Sequence, residues 1–185
     1  MVETANKSAT YDDLLAVPEH LVAEIVHGQL YTTPRPAPRH ARASSSLGGE
    51  LFNPYDRGRN GPGGWIILDE PELHLGEHVL VPDLAGWRRE RLPELPETAW
   101  FELSPDWVCE VLSPSTASLD RSGKMPIYAE SGVPWLWLID PEVKTLEAYE
   151  LREGRWLLLK TLSDHAEVAL PPFDAVPFPL EALWG

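Results

Sequence analysis

Apolar and polar side chains alternate most clearly along WVCEVL. There Val108, Glu110 and Leu112 share one face of an extended chain, and Trp107, Cys109 and Val111 take the other. The pattern predicts a strand buried on both sides with one carboxylate, Glu110, among apolar neighbours, a costly placement unless the charge is paired or metal-bound. The run HLVAEIVHGQLYTTP predicts a strand pair around Gly28, with Glu24 on its first strand. WIILDEPELHL and HVLVPDLAGW flank Gly76 and Glu77 and predict a hairpin that delivers Asp83 at the end of its second strand. Pro82 cannot donate a ladder hydrogen bond, so the chain is expected to be irregular, or at an edge, where Asp83 emerges. WLWLID, apolar on both faces, fits a buried strand better than a base-stacking platform. A further hairpin turns at Glu153 and Gly154.

Helical signals are fewer. TYDDLLAVPEH predicts a short helix with Thr10 as N-cap and Asp12 and Asp13 in the first turn, where they suit the dipole. PRPAPRH is a loop by its prolines, followed by a helix from His40 to Phe52 that Gly48 and Gly49 weaken unless close packing compensates. Asp120, Lys124 and Tyr128 follow at i, i+4 and i+8 and line one helix face, with Pro126 setting the start of the regular helix near Lys124. Residues 88–101 form a Pro- and Glu-rich surface excursion. From Ser163 the chain has no Lys or Arg and several prolines, which predicts an extended wrap. Phe173, Phe178 and Trp184 give that wrap something to bury in its own subunit or in a neighbour, so a homodimer is one arrangement open to the chain. With no internal repeat, the organisation expected is a loose tail over residues 1–10 and one α/β domain over residues 11–185.

Composition changes this picture in two ways. A chain of 185 residues, 43% hydrophobic and with eight Trp, builds a sizeable core. It has no membrane-length apolar run, and MVETANKSAT lacks the regions of a signal peptide, so a cytoplasmic location is expected. The single Cys109 excludes an internal disulfide framework. Charge pulls the other way. Fifteen basic against 29 acidic residues give a formal net charge of -14, which repels polyanions overall. Basic residues nonetheless gather over residues 35–59, where Arg35, Arg39 and Arg42 are candidate nucleic-acid contacts and solvated loop arginines are the plainer reading.

Other motifs carry less. His74 and His78 have metal-helix spacing, but Gly76 between them marks a turn. Ser113 and Ser115 lack a nucleophile elbow, and SGKM lacks the upstream glycine of a phosphate loop. What remains is a set of charged residues, Asp83, Glu110, Asp120 and Lys124, on elements that can converge. They form either a metal site or a buried ion-pair network.

The order of Glu24 in AEIVHGQL, His40 at the head of a helix, PD, EVLSPST, a D-x-x-x-K-x-x-x-Y helix and GVPWLWLID resembles the Uma-two family of bacterial restriction-endonuclease-like proteins. That family is a branch of the PD-(D/E)XK nuclease superfamily. The resemblance spans residues 11–162, and its EVLSPST to WLWLID block is specific. It implies a restriction-endonuclease-like domain, a mixed central sheet flanked by helices. It also implies a site of Glu24, Asp83, Glu110 and Lys124, with Asp83 and Glu110 as ligands for Mg2+ (or Mn2+) and Asp120, Tyr128 and His40 in support. The chain departs from the superfamily signature at Leu112, where a lysine is expected, and the resemblance implies that the lysine has moved to Lys124. The expected activity is metal-dependent endonucleolytic hydrolysis of phosphodiester bonds in DNA. The alternative is a non-catalytic protein of the same fold whose acidic surface binds a protein partner.

Overall fold

In the computed structural model, which describes residues 8–185, the chain forms one mixed six-stranded sheet and a smaller four-stranded one. The first helix, α1 (Tyr11–Leu15), starts at a capping box in which the Thr10 hydroxyl accepts from Asp13 N and the Asp13 carboxylate accepts from Thr10 N at 2.8 Å. Strands β1 (Val22–Val26) and β2 (Gln29–Thr33) pair through a two-residue turn, with His27 and Gly28 both at positive φ, the geometry that matches strand twist. The loose tail expected over residues 1–10 lies outside the described residues up to residue 7; beyond it Ala9 N donates to Gly28 O at 2.8 Å.

Helix α2 spans Pro38–Leu51, starting two residues before His40 because Pro38 fits a first helical turn. A π-helical turn, Phe52–Asp56, follows it. The single hairpin expected around Gly76 is in fact two ladders. β3 (Trp65–Asp69) pairs with β6 (Leu84–Arg88) in the large sheet, while β4 (Leu73–Leu75) pairs with β5 (His78–Leu80) in the small one. The chain changes sheets at Glu70 and Pro71 on one side and at Val81 and Pro82 on the other. A proline in each crossing removes a ladder donor there. Asp83 therefore stands between β5 and β6, at the head of a strand and not at its end.

β7 (Trp107–Val111) is central, antiparallel to β6 and parallel to β8 (Trp135–Asp140). The crossover between β7 and β8 carries α3 (Ala117–Leu119), a π-helical turn (Asp120–Lys124) and α4 (Met125–Glu130), so the regular helix starts one residue after Lys124. β9 (Thr145–Arg152) and β10 (Arg155–Ser163) close the large sheet, in the order β10-β9-β8-β7-β6-β3; the small sheet runs β2-β1-β5-β4.

Each face of the large sheet is covered. On one side α2 and residues after Ser163 enclose Trp65, Trp107 and Trp137 around the fully buried Phe173, with ring centroids 4.8 to 5.7 Å from Phe173. The last residues contribute β11 (Glu167–Val168), β12 (Phe178–Pro179) and a 3₁₀ turn (Leu180–Leu183). On the other side α4 and the small sheet pack on Val108, Leu136 and Leu138, with Tyr128 fully buried. Gly123 makes the second packing possible. A Cβ there would come 2.9 Å from Leu119 and 3.1 Å from Val26, so its absence lets the π-helical turn settle on β1. That approach brings Lys124 to Glu24. Among the described residues no helix is long and apolar enough to cross a membrane.

Candidate active site

The strand alternation holds at β7. Trp107, Cys109 and Val111 enter the core beneath α2, and Glu110 faces the opposite layer with Val108 and Leu112. Glu110 is 2% exposed, Glu24 4% and Lys124 5%, so this charged cluster is desolvated and each member must find its partners within the protein. Lys124 supplies most of them. Its Nζ lies 2.9 Å from Glu24 Oε1, 3.2 Å from Asp120 Oδ1 and 3.4 Å from Glu110 Oε1. Glu24 Oε1 also accepts from Val81 N at 2.8 Å, across the gap where the chain changes sheets. Tyr128 donates its hydroxyl to Glu110 Oε1 at 2.6 Å.

Asp83 adjoins this cluster from the position just before β6. Its Oδ2 accepts from Val111 N at 2.7 Å, and its Oδ1 faces His40 Nε2 at 3.3 Å, while the buried His40 Nδ1 has no hydrogen-bond partner among the described residues. The structure thus gathers Glu24, Asp83, Glu110, Lys124, Asp120, Tyr128 and His40 at one place. The three arginines separate. Arg35 lines the cleft, Arg39 pairs with Glu142 at 3.0 Å, and Arg42 lies against Gly185.

A cleft of about 370 Å³ opens over these residues. Its walls are the segment from Thr33 to Ala37 and the segment from Ser113 to Thr116, where the Ser113 hydroxyl lies 2.9 Å from that of Thr116 and 3.1 Å from that of Ser115. Glu70, at the first sheet crossing, adds a further carboxylate with a left-handed backbone (φ 48°). Sequence reasoning missed Glu70, although the Glu-Pro step that interrupts WIILDEPELHL was a signal that the run ends there. Thr116 was missed too; its signal was the S-P-S-T turn after β7.

Burial raises the Glu110 carboxyl well above its ordinary range. Lys124 offsets part of that rise, and Asp120, Asp83 and Glu24 add to it. Burial likewise raises Glu24 and Asp120, each partly countered by Lys124. For Lys124 burial alone would lower the ammonium pKa, but Glu110, Glu24 and Asp120 override it and hold it well above the usual lysine value. One cation only partly offsets three buried carboxyls, so all three stay raised while the ammonium holds its proton more firmly. His40 is raised as well: burial opposes its charge, and Asp83, the Val111 backbone and Asp120 together outweigh burial.

The family model described as "Putative restriction endonuclease", Uma2, matches residues 9–180. This chain belongs to that family. Among solved structures it is similar to the crystal structure titled as a putative nuclease belonging to DUF820 from Anabaena variabilis ATCC 29413, at 23% identity and a TM-score of 0.76, covering 95% of this chain and 97% of that one. The likeness establishes a shared fold, the mixed α/β domain with helices on its sheets. Comparison with curated proteins finds no match.

Membership of this family raises the question of a divalent metal. Among the described residues no group of three or more His, Cys, Asp or Glu side chains is arranged to hold a metal ion. Magnesium does not require such a cage; it takes one or two carboxylates and keeps several waters. Asp83 and Glu110 suit that demand. Each has one oxygen anchored by a short hydrogen bond, from Val111 N or from the Tyr128 hydroxyl. The other Asp83 oxygen faces His40 Nε2 at 3.3 Å, and Lys124 Nζ stands 3.4 Å from both Glu110 oxygens, longer than ordinary hydrogen bonds. The donor set fits the ion.

Proposed function

We propose that this protein is a Mg2+- or Mn2+-dependent endonuclease that hydrolyses phosphodiester bonds in DNA. The observation that carries the reading is the meeting of Asp83, Glu110 and Lys124 on the floor of one cleft, in a member of a family described as restriction endonucleases. Asp83 and Glu110 would hold the metal, which when bound polarises the phosphodiester and lowers the pKa of a water. Val111 N fixes the Asp83 carboxylate, and Tyr128 fixes that of Glu110. Lys124 keeps its proton, so its role is to stabilise charge developing on the phosphate, not to act as a general base. Glu24 and Asp120 position that ammonium, at 2.9 and 3.2 Å.

A second reading rests on the same distances. Lys124 already partners three carboxylates and His40 partners Asp83, as in a structural ion-pair network under a surface that binds a protein. Calorimetric titration with Mg2+ and Mn2+, followed by a DNA cleavage assay in the same metal, separates the two. The endonuclease reading expects saturable metal binding that Asp83→Asn and Glu110→Gln both remove, together with cleavage that those variants lose. Absence of metal binding in the unaltered protein would leave the second reading standing.

A further inference from the structure

We propose that the cleft accepts a single nucleotide unit of a single-stranded nucleic acid and excludes continuous duplex; this rests on the phosphodiesterase reading and deepens it. The first ground is size. A volume of about 370 Å³ lies near the small end of the about 300–1,000 Å³ range in which pockets bury a small ligand. Its floor is recessed, with Glu110 2% exposed, Lys124 5% and the Asp83 side chain 15%, so a scissile phosphate reaches it between the two walls. A strand paired in a duplex lowers one phosphate only by deforming the helix, at a cost in free energy. An unpaired strand avoids that cost.

The second ground is charge. Duplex DNA carries one negative charge per about 1.7 Å of axis, and a protein that grips it needs a track of free Lys and Arg. Glu24, Glu70, Asp83, Glu110 and Asp120 line this cleft, against the cations Lys124 and Arg35 and the histidine His40. Half of the ten other arginines are in ion pairs: Arg39 with Glu142, Arg89 with Asp56, Arg91 with Asp106, Arg121 with Glu147 and Arg152 with Glu150. Arg88 lies over the Trp65 ring at 4.1 Å. Arg35 is exposed and has no ion-pair partner among the described residues, so it is the cation placed to meet a flanking phosphate. The opposite wall offers the neutral hydroxyls of Ser113 and Ser115, and Pro34, Pro36 and Pro114 offer apolar surface for a sugar or base. Such walls suit one or two phosphates of a flexible strand.

The test uses the full chain with Ca2+ in place of Mg2+ and follows the fluorescence anisotropy of a labelled single-stranded DNA dodecamer and of its duplex. The single strand is expected to bind at least about tenfold more tightly, with a log–log salt slope between about -0.7 and -1.4, the value for one or two phosphate contacts. Arg35→Ala, at an exposed position, is expected to weaken single-strand binding several-fold and to lower the slope by about 0.7. Duplex bound as tightly as the single strand, a slope steeper than about -4, or an unchanged Arg35→Ala would overturn the inference. A parallel arm follows Mn2+-dependent hydrolysis of bis(p-nitrophenyl) phosphate. Hydrolysis of that diester together with a preference for duplex sinks the inference alone. Neither binding of either DNA nor hydrolysis of the diester sinks it together with the phosphodiesterase reading.

Discussion

Replacing Lys124 with Met tests the energetics of the site at their centre. The substitution keeps the length of the side chain and deletes the ammonium that touches Glu24, Asp120 and Glu110 at 2.9, 3.2 and 3.4 Å. Removing one partner from a buried ion pair typically costs about 3–5 kcal/mol, because the remaining charge is left uncompensated. Here three carboxyls are left, so the upper part of that range is expected at neutral pH. The pH dependence has a definite sign. Burial already raises these carboxyls above their ordinary values, and losing Lys124, the main influence that lowers them, raises them further. Between the ordinary carboxyl range and the raised one, the folded variant holds more protons than the unfolded chain, so its stability falls as pH rises and recovers as pH falls. Urea unfolding at about pH 8 and about pH 5 should therefore show a large deficit at the higher pH and a much smaller one at the lower. The same variant is expected to bind Mg2+ as well as or better than the parent, while cleavage drops about a hundredfold. A deficit below about 1 kcal/mol at pH 8, or one equal at both pH values, would refute the picture of a single ammonium holding three carboxyls.

Other expectations follow from single contacts. Asp83→Asn and Glu110→Gln should each abolish the calorimetric heat of Mg2+ binding while leaving far-UV circular dichroism unchanged, since each amide keeps an oxygen for Val111 N or for Tyr128. Tyr128→Phe removes the 2.6 Å hydrogen bond to Glu110 and should cost about 1.5–3 kcal/mol in urea unfolding; a loss near zero would mean that Glu110 does not depend on it. Phe173→Ala empties the space between Trp65, Trp107 and Trp137 and should cost about 3–5 kcal/mol, which measures how firmly the segment after Ser163 is docked.

How much of this was legible in the sequence depended on the range of the interaction. The face of β7 that carries Glu110 follows from an alternation of six residues, and the alignment of Asp120 with Lys124 follows from a four-residue step that survives the π-helical turn, with the two groups 3.2 Å apart. The split of the Gly76 hairpin was not legible. A continuous ladder and two ladders on different sheets share the same hydrophobic pattern, and only the prolines at positions 71 and 82 mark where hydrogen bonding must lapse. That lapse matters to the site. It frees Val81 N to bond Glu24 and leaves Asp83 just ahead of β6, where its carboxylate lines the cleft.

The partnership of Glu24 with Lys124 was the least legible of all, since it joins a strand of the small sheet to a helix of the large one. Residue spacing says nothing across such a distance. A local feature favours it: Gly123, where a Cβ would crowd Val26 at 3.1 Å and Leu119 at 2.9 Å, so its absence eases the approach of the turn to β1. Glycine in a helical stretch is intrinsically unfavourable by about 1 kcal/mol, so its presence next to Lys124 trades helix stability for that approach. The arrangement explains the departure at Leu112. With the ammonium delivered from the helix and anchored by Glu24, a lysine two residues beyond Glu110 would add a second cation to the apolar layer that Leu112, 3% exposed, now fills. The buried layer at Leu112 and the ammonium at Lys124 are thus two parts of one packing solution.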